Sequence, residues 1–121
     1  MSESLTLGRK GEMYATEHLK KKGYTILRKN WRAGKKEIDI VAENKDFIVF
    51  VEVKTRTDNF LTDPVSAITR EKREALIFAA DNYIKRFGVD KEVRFDVITV
   101  IIGNGKVETD HIEHAFYPTL R

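Results

Sequence analysis

The chain has 121 residues, of which 41% are hydrophobic and 34% are charged, and it contains no cysteine. This length suits one hydrophobic core, so we expect a single domain over residues 1–121. The lack of cysteine excludes disulfides, thiolate nucleophiles and thiolate zinc sites. No apolar run approaches the ~20 residues needed to cross a bilayer, and the first residues do not resemble a signal peptide. We therefore expect a soluble cytoplasmic protein without a membrane partner.

The formal net charge of +3 conceals an uneven distribution. Residues 1–36 contain ten Lys or Arg and three acidic residues, whereas residues 37–121 contain twelve and sixteen. A basic segment joined to a more acidic body indicates a polyanionic partner on one side and chemistry on the other. Uneven surface charge without any function would give the same numbers, so charge alone leaves both interpretations open.

The first half of the chain predicts one helix and three strands. The helix covers 8–22 and has one face that contains Gly8, Glu12, Ala15 and Leu19. Strand patterns follow at 24–31, 37–43 and 47–55, with a basic turn over 32–36. The link between the last two strands is short and polar, which favours a hairpin.

The second half predicts one helix and two strands. A loop over 58–64 leads to a helix that Ser66 or Thr69 can cap and that ends near Gly88. Its predicted apolar face comprises Ala75, Phe78, Ala79, Tyr83 and Phe87. Strand patterns at 93–102 and 106–111 complete the order α-β-β-β-α-β-β, which indicates an α/β fold with a mixed sheet covered by helices.

The predicted hairpin brings acidic residues together. If its loop has two residues, Asp39 lies directly opposite Glu52, and Glu37 lies directly opposite Lys54. Two ionised carboxylates at that separation repel by about 3 kcal/mol at an effective dielectric constant of about 20. The fold gains nothing from such a pair unless a proton or a cation relieves the repulsion.

A divalent cation would relieve it. Mg²⁺ takes oxygen ligands and is commonly held by one or two carboxylates together with substrate phosphates. Lys54, on the same face as Glu52, could then hold a phosphate oxygen or the attacking water. The alternative is a Glu37–Lys54 salt bridge with Asp39 and Glu52 solvated at the sheet surface, and spacing alone does not decide between them.

Three other polar positions have competing interpretations. Glu12 is predicted to point inward, where it needs either a metal or a basic partner such as Arg28. Asp96 is interpreted as a structural ion pair with Arg94. His111 and His114 are three residues apart, but their segment does not read as a helix, so a metal role is disfavoured.

The hairpin residues EIDIV at 37–41 and FVEVKTR at 50–56 resemble the active-site hairpin of the PD-(D/E)XK nuclease superfamily. Asp39 matches the aspartate of that motif, and Glu52 with Lys54 matches its E-x-K. The whole chain is similar to the YraN family of small bacterial proteins, which resembles archaeal Holliday-junction resolvases. Further matches to that family are GRKGE at 8–12 with Ala15, GY at 23–24, Lys72 with Ala80 and Tyr83, and RFDV at 94–97.

The resemblance implies a fold and a site. The fold is a restriction-endonuclease-like αβββαβ core with a mixed central sheet. Carboxylates matching Asp39 and Glu52, with the backbone carbonyl of Val53, bind Mg²⁺, for which Mn²⁺ can substitute. A lysine matching Lys54 activates or orients water, and resolvase-like members add a glutamate from the first helix, here Glu12.

We therefore expect a metal-dependent endonuclease acting on branched or flapped DNA, with DNA favoured over RNA by the resemblance alone. The DNA backbone would be held electrostatically, without base reading, by Arg28, Arg32, Lys35, Lys36 and Arg56. A resolvase-like homodimer is compatible with this function, although the sequence shows no dimer face. The alternative function is a non-catalytic nucleic-acid-binding or adaptor module that has kept the nuclease fold, and a third is a metal-stabilised structural protein with a protein partner.

Overall fold

The computed structural model describes residues 6–57 and 68–118. The chain forms two helices and five strands, in the order α1 (Leu7–Lys21), β1 (Thr25–Ala33), β2 (Lys36–Glu43), β3 (Phe47–Arg56), α2 (Arg70–Phe87), β4 (Glu92–Gly103) and β5 (Lys106–Phe116). This is the order predicted from the sequence. Within the described ranges, neither helix is long and apolar enough to cross a membrane.

The strands form one mixed sheet in the order β1-β2-β3-β4-β5. β3 and β4 are parallel, and the other three neighbouring pairs are antiparallel. A parallel pair needs a crossover connection, and α2 lies in the chain between β3 and β4. The α/β class and the mixed sheet are therefore confirmed, with β3 at the centre.

The helices begin and end where local chemistry favours it. The side chain of Thr6 accepts a hydrogen bond from the backbone N–H of Arg9, and that of Thr69 accepts one from Lys72, so both helices have an N-cap threonine. α2 ends at Gly88, whose φ of +63° is the left-handed conformation typical of helix C-termini. The predicted 58–64 loop and the alternative cap Ser66 lie outside the described residues.

The two helices cover opposite faces of the sheet. On one face, Ala15 and Leu19 of α1 pack with apolar residues of β2, β3 and β4. On the other face, α2 contributes Leu76, Ala79, Ala80 and Tyr83 to a cluster with Phe50 and Phe95. Burial on both faces explains why β3 is an almost continuous apolar run in the sequence.

The apolar face predicted for α2 is wrong at two positions. Phe78 is 51% exposed and Phe87 is 42% exposed. A cation lies over each ring, since Lys36 Nζ is 5.7 Å from the centroid of Phe78 and the guanidinium of Arg28 is 5.1 Å from that of Phe87. Cation–π contacts suit half-exposed aromatic side chains, and helical periodicity cannot reveal them.

Two predicted boundaries also differ from the structure. The basic turn predicted over 32–36 is shorter, because Ala33 and Lys36 pair across the β1–β2 hairpin. β5 continues to Phe116 instead of ending near 111, and a register shift carries the pairing on to Phe95. The ring of Phe116 stacks on that of Phe95 at 5.3 Å, so apolar packing extends the strand past the irregularity.

A buried ionic network lies at the C-terminal end of α1. Arg94 donates two hydrogen bonds of 2.9 Å to the two carboxylate oxygens of Asp96, which also lies 2.7 Å from Nε2 of His111. Burial alone would raise the pKa of Asp96, but the hydrogen bonds from His111 and Arg94 outweigh it and hold that pKa below its usual value. The structural ion pair predicted for Asp96 is confirmed, and His111 is its third member.

The contact between α1 and β3 gives a testable prediction. A Cβ on Gly11 would lie 1.8 Å from Oγ1 of Thr55 and 2.8 Å from its Cβ, so Gly11→Ala forces the helix away from the strand. We expect it to destabilise the protein by about 1–3 kcal/mol in urea denaturation. Gly8→Ala is the matched control: nothing lies within 4 Å of its Cβ, so it should stabilise α1 by about 0.5–1 kcal/mol. Equal effects of the two substitutions would contradict this account.

Candidate functional site

The β2–β3 hairpin has the register predicted from a two-residue loop. Ile40 pairs with Val51 and Glu43 with Ile48, so extension of the register places Asp39 opposite Glu52. The side chain of Asn44 fixes the turn, because its Oδ1 accepts hydrogen bonds from the N–H groups of Asp46 and Phe47. The acidic pair therefore follows from local turn chemistry.

The hairpin pairing ends just before the acidic pair. Its last paired residues are Ile40 and Val51. In an antiparallel ladder alternate pairs exchange hydrogen bonds, so Val53 N–H would next donate to the carbonyl of Ile38. It donates instead to Oδ2 of Asp39, at 2.8 Å. A side chain thus replaces the backbone where the two strands stop pairing, and this bond holds the Asp39 carboxylate against β3.

The backbone of β1 has an unusual conformation opposite Asp39, although the pairing register is kept there. Lys29 pairs with Ile40 and Trp31 with Ile38, while Asn30 between them has a φ of +54°. Strict alternation would put Ile38 on the same face as Ile40, yet Ile38 packs with the α2-side cluster and Ile40 with the α1-side cluster. The alternation of β2 between the two faces of the sheet is therefore interrupted at Asp39.

Glu12 reaches this region from α1, as the sequence predicted, but it is half-buried. Its Oε1 accepts a hydrogen bond of 3.1 Å from Nδ2 of Asn30, so its partner is a neutral amide, and among the residues that the structure describes neither Arg28 nor another basic side chain pairs with it. The charge of Glu12 contributes to raising the pKa of Asp39. No sequence pattern identified Asn30, because its contact with Glu12 depends on how α1 packs against β1.

Glu52 is the most buried of the acidic candidates. Its side chain is 5% exposed, and its Oε1 has no hydrogen-bond partner among the described residues. The other oxygen, Oε2, lies 3.7 Å from Nζ of Lys72 on α2. The alternative of a solvated Glu52 is therefore excluded, and the Glu37–Lys54 bridge is not formed, since Glu37 pairs with Arg32 at 3.8 Å.

Both carboxyl groups have raised pKa values, for which burial is the main cause. Burial raises the pKa of Glu52 to about 7, with the charge of Asp39 adding to the rise. Burial also raises the pKa of Asp39 to about 6, against the opposing effect of the Val53 N–H. Such a pair titrates near neutral pH, which is typical of groups that bind a cation or move a proton.

Two lysines lie beside the pair. Lys54, predicted from the E-x-K pattern, is half-exposed, and its charge lowers the pKa of Glu52. Lys72 acts on both acids, lowering the pKa of Glu52 and of Asp39. The sequence matched Lys72 to a family pattern without giving it a role, because its contact depends on how α2 crosses β3. The only local feature of the sequence that bears on the position of Lys72 is that it lies one turn after the Thr69 cap.

The carboxylates suit a cation that needs few protein ligands. In residues 6–57 and 68–118, no group of three or more His, Asp or Glu side chains is placed to hold a metal ion. Glu12 is thus not assembled with Asp39 and Glu52 into a three-carboxylate cluster. The pair, with the unpartnered oxygen of Glu52 and the nearby carbonyl of Val53, fits Mg²⁺, because that ion commonly keeps several waters beside one or two carboxylates.

The predicted DNA-contacting residues divide into two groups. Arg32, Lys35 and Lys36 lie at the β1–β2 turn, which is at the same end of the sheet as Arg56 because β2 and β3 are antiparallel. Arg28 lies elsewhere, over Phe87 at the far end of α2. The 15 residues from Lys72 to Phe87 correspond to about 22 Å of helix. The structure therefore brings four of the five basic residues to one end of the sheet, whereas Arg28 lies in the middle of β1, opposite Val41.

Comparisons with known proteins give a family but no activity. The model of the uncharacterised protein family UPF0102, the YraN family, matches residues 11–100. The UPF0102 protein of Bacteroides thetaiotaomicron is 46% identical over 120 residues, which cover 99% of each chain. That of Parabacteroides distasonis is 40% identical over the full length of both chains, and that of Flavobacterium psychrophilum is 39% identical over 97% of this chain and 98% of its own. The resemblance to the YraN family is confirmed.

Because the pKa of Glu52 is raised, we expect a neutral side chain at this position to increase the free energy of unfolding by an amount that depends on pH. A carboxyl group with a pKa of about 7 when folded and 4.5 when unfolded destabilises the fold above pH 7. This cost disappears as the pH falls through 7 towards 4.5. Without metal, Glu52→Gln should therefore raise the free energy of unfolding by on the order of 1–3 kcal/mol at pH 8, and by much less at pH 5.

Urea denaturation of wild type and variant at both pH values, in the presence of a chelator, checks this. Glu17→Gln on the exposed side of α1 is the matched control and should change little at either pH. A Glu52→Gln protein no more stable than wild type at pH 8 would show that the buried carboxylate carries no such cost.

Proposed function

Because the chain belongs to the uncharacterised protein family UPF0102, we propose its function from its own site: a Mg²⁺-dependent endonuclease that hydrolyses phosphodiester bonds in DNA. The observation that carries the proposal is the adjacency of the buried Glu52 and the half-buried Asp39, two acids with raised pKa values at the point where the hairpin stops pairing. We further propose that the α-β-β-β-α-β order is a restriction-endonuclease-like core.

In this proposal Asp39, Glu52 and the carbonyl of Val53 hold Mg²⁺ or Mn²⁺. A bound divalent ion supplies Lewis-acid stabilisation of phosphoryl charge and a water of lowered pKa. The protein's own part is to keep both carboxylates close despite their repulsion and to fix Asp39 through the N–H of Val53. Glu12, held by Asn30, adds negative charge that favours a cation near Asp39.

Lys54 has a different role in the proposed reaction. It follows Glu52 by two residues on β3, so its side chain lies on the same face one step along the strand. Its half-exposed ammonium group can reach a substrate phosphate oxygen, where it would stabilise the charge that develops during displacement and help to orient the attacking water.

The basic end of the sheet would hold the DNA backbone. Arg32, Lys35, Lys36 and Arg56 lie there, and phosphate contacts of this kind position a nucleic acid without reading its sequence. The preference for branched or flapped DNA comes from the resemblance to resolvases. A homodimer would allow paired cuts in a symmetric junction, and sedimentation measurements with and without junction DNA would establish whether one forms.

Lys72 is the observation that favours the alternative, a nucleic-acid-binding module without catalysis. Its ammonium group partly neutralises Glu52 with no metal present. A site whose charge is already compensated in this way could persist as a structural feature. Cleavage and metal binding distinguish the two functions.

A cleavage assay tests the proposed activity. Labelled branched, flapped, single-stranded and duplex DNA, together with RNA, is incubated with the protein and Mg²⁺ or Mn²⁺. Asp39→Asn, Glu52→Gln and Lys54→Met should each lower the cleavage rate by at least about a hundredfold, because the first two remove a carboxylate that holds the metal and the third removes the charge that stabilises the reacting phosphate. Lys45→Met, in the turn at the other end of the same hairpin, is the control and should cleave like wild type. Equal cleavage by all variants would reject the catalytic claim, and binding without cleavage would favour the alternative.

Metal binding can be tested without any substrate. A ligand that binds only the folded state at about a hundred times its dissociation constant stabilises it by about 2.7 kcal/mol. We expect Mg²⁺ to raise the melting temperature of wild type, and more at pH 8 than at pH 6, because the ion competes with protons on Asp39 and Glu52. Asp39→Asn should abolish this shift, while Asp46→Asn in the hairpin turn should retain it. A shift that survives Asp39→Asn would place the metal elsewhere.

A further inference from the structure

A groove of about 390 Å³ lies between α2 and the end of β5. Its lining residues are Arg70, Arg73, Glu74, Ile77, Phe116 and Tyr117. The four that belong to α2 are spaced i, i+3, i+4 and i+7, so they form one stripe along the helix. Lys72 lies outside this stripe and contacts Glu52. The first turns of α2 therefore present different residues to the candidate site and to the groove.

Two aromatic side chains line the groove, one buried at its base and one exposed to solvent. Phe116 is 9% exposed and belongs to the α2-side core. Tyr117 is 67% exposed, and one face of its ring stacks on His114 at a centroid distance of 5.6 Å. An exposed ring supported on one side by a second ring is a rigid platform on which a planar group can stack.

The groove also carries positive charge. Arg73 forms no ion pair with any described residue, and Arg70 is bridged to Glu74 at 3.2 Å, which offsets the one acid in the lining. Guanidinium groups beside an exposed aromatic ring are the combination that single-stranded nucleic acids use, with phosphates on the cations and bases on the ring. The lining does not suit a base pair, whose bases are already stacked on their neighbours.

The groove lies within reach of a strand bound at the candidate site. Glu52 pairs with Val97 on β4, and Phe95, two residues earlier, pairs with Phe116 on β5. Two strand spacings of ~4.8 Å and two residues of ~3.3 Å give a backbone separation of about 12 Å. This corresponds to between three and four base steps of ~3.4 Å.

We propose that this groove binds an unpaired nucleotide of the DNA, a few steps from the phosphate at the candidate site, with its base stacked on Tyr117 and its backbone held by Arg73. This rests on the proposed nuclease function and deepens it, since it selects DNA with a single-stranded segment next to the cut. Discrimination between flapped and fully paired DNA then resides in the groove, away from Asp39 and Glu52.

Fluorescence anisotropy in the presence of a chelator tests the proposal independently of catalysis. The probes are a labelled single-stranded oligonucleotide, a flapped duplex and a blunt duplex of the same sequence. Tyr117→Ala should weaken binding of the first two about tenfold and leave blunt-duplex binding unchanged. Tyr117→Phe should bind like wild type, because it keeps the ring. Val107→Ala, at an exposed apolar residue near the start of β5, should have no effect on any probe.

Two results would overturn the inference. One is an equal loss of affinity for all three probes with Tyr117→Ala, which would indicate a general contact. The other is unchanged affinity for flapped and single-stranded DNA. In both cases nuclease activity can still be present, so the proposed function survives. Failure of wild type to bind any of the probes would overturn the inference together with the proposed function.

Discussion

The register of the β2–β3 hairpin determines where each candidate catalytic group lies. Asn44 closes the turn with its own side chain, and the pairing that follows brings Asp39 and Glu52 together. β3 also pairs with β4 from Phe47 to Arg56, so the strand carrying Glu52 and Lys54 is held along its whole length. A slip of one residue would turn both side chains to the opposite face, away from Lys72.

The same register obliges the fold to accept an unfavourable electrostatic arrangement. Glu52 is buried beside a second acid, and its charge is met only partly by Lys72 at 3.7 Å. The Arg94–Asp96 pair, equally buried, shows the contrast: two hydrogen bonds of 2.9 Å and a histidine satisfy its carboxylate fully. One acidic centre is therefore stabilised by the protein itself, whereas the other gains most from an added proton or cation.

The sequence predicts the elements and the acidic hairpin because both depend on neighbouring residues. Thr69 and Gly88 delimit α2 through local capping, and a two-residue loop sets the hairpin register. The sequence does not predict contacts that arise when distant segments meet. Lys72 of α2 reaches Glu52 of β3, and Asn30 of β1 reaches Glu12 of α1.

The cation contacts of the exposed Phe78 and Phe87 also arise only when distant segments of the chain meet. Their apolar character and helical spacing place them on a core face, but cations from β1 and β2 lie over their rings. The charge of Arg28 predicts a DNA contact, but its guanidinium lies over the ring of Phe87. Charge in a sequence indicates a partner only after packing has determined which end of the molecule carries it.

The side chains of β2 stop alternating between the two faces of the sheet at Asp39, so the number of residues in this strand is constrained as well as their type. Ile38 and Val41 face α2, while Ile40 and Ala42 face α1, so the strand changes sides within three residues. If one residue were removed or inserted between Asp39 and the β1–β2 turn, the side chains of that turn would move to the opposite face of the sheet. Trp31 would then leave its contact with Tyr83, and Lys36 would leave Phe78. We therefore expect the fold to tolerate the insertion or deletion of one residue within the β1–β2 turn, but to be destabilised by the same change in β2.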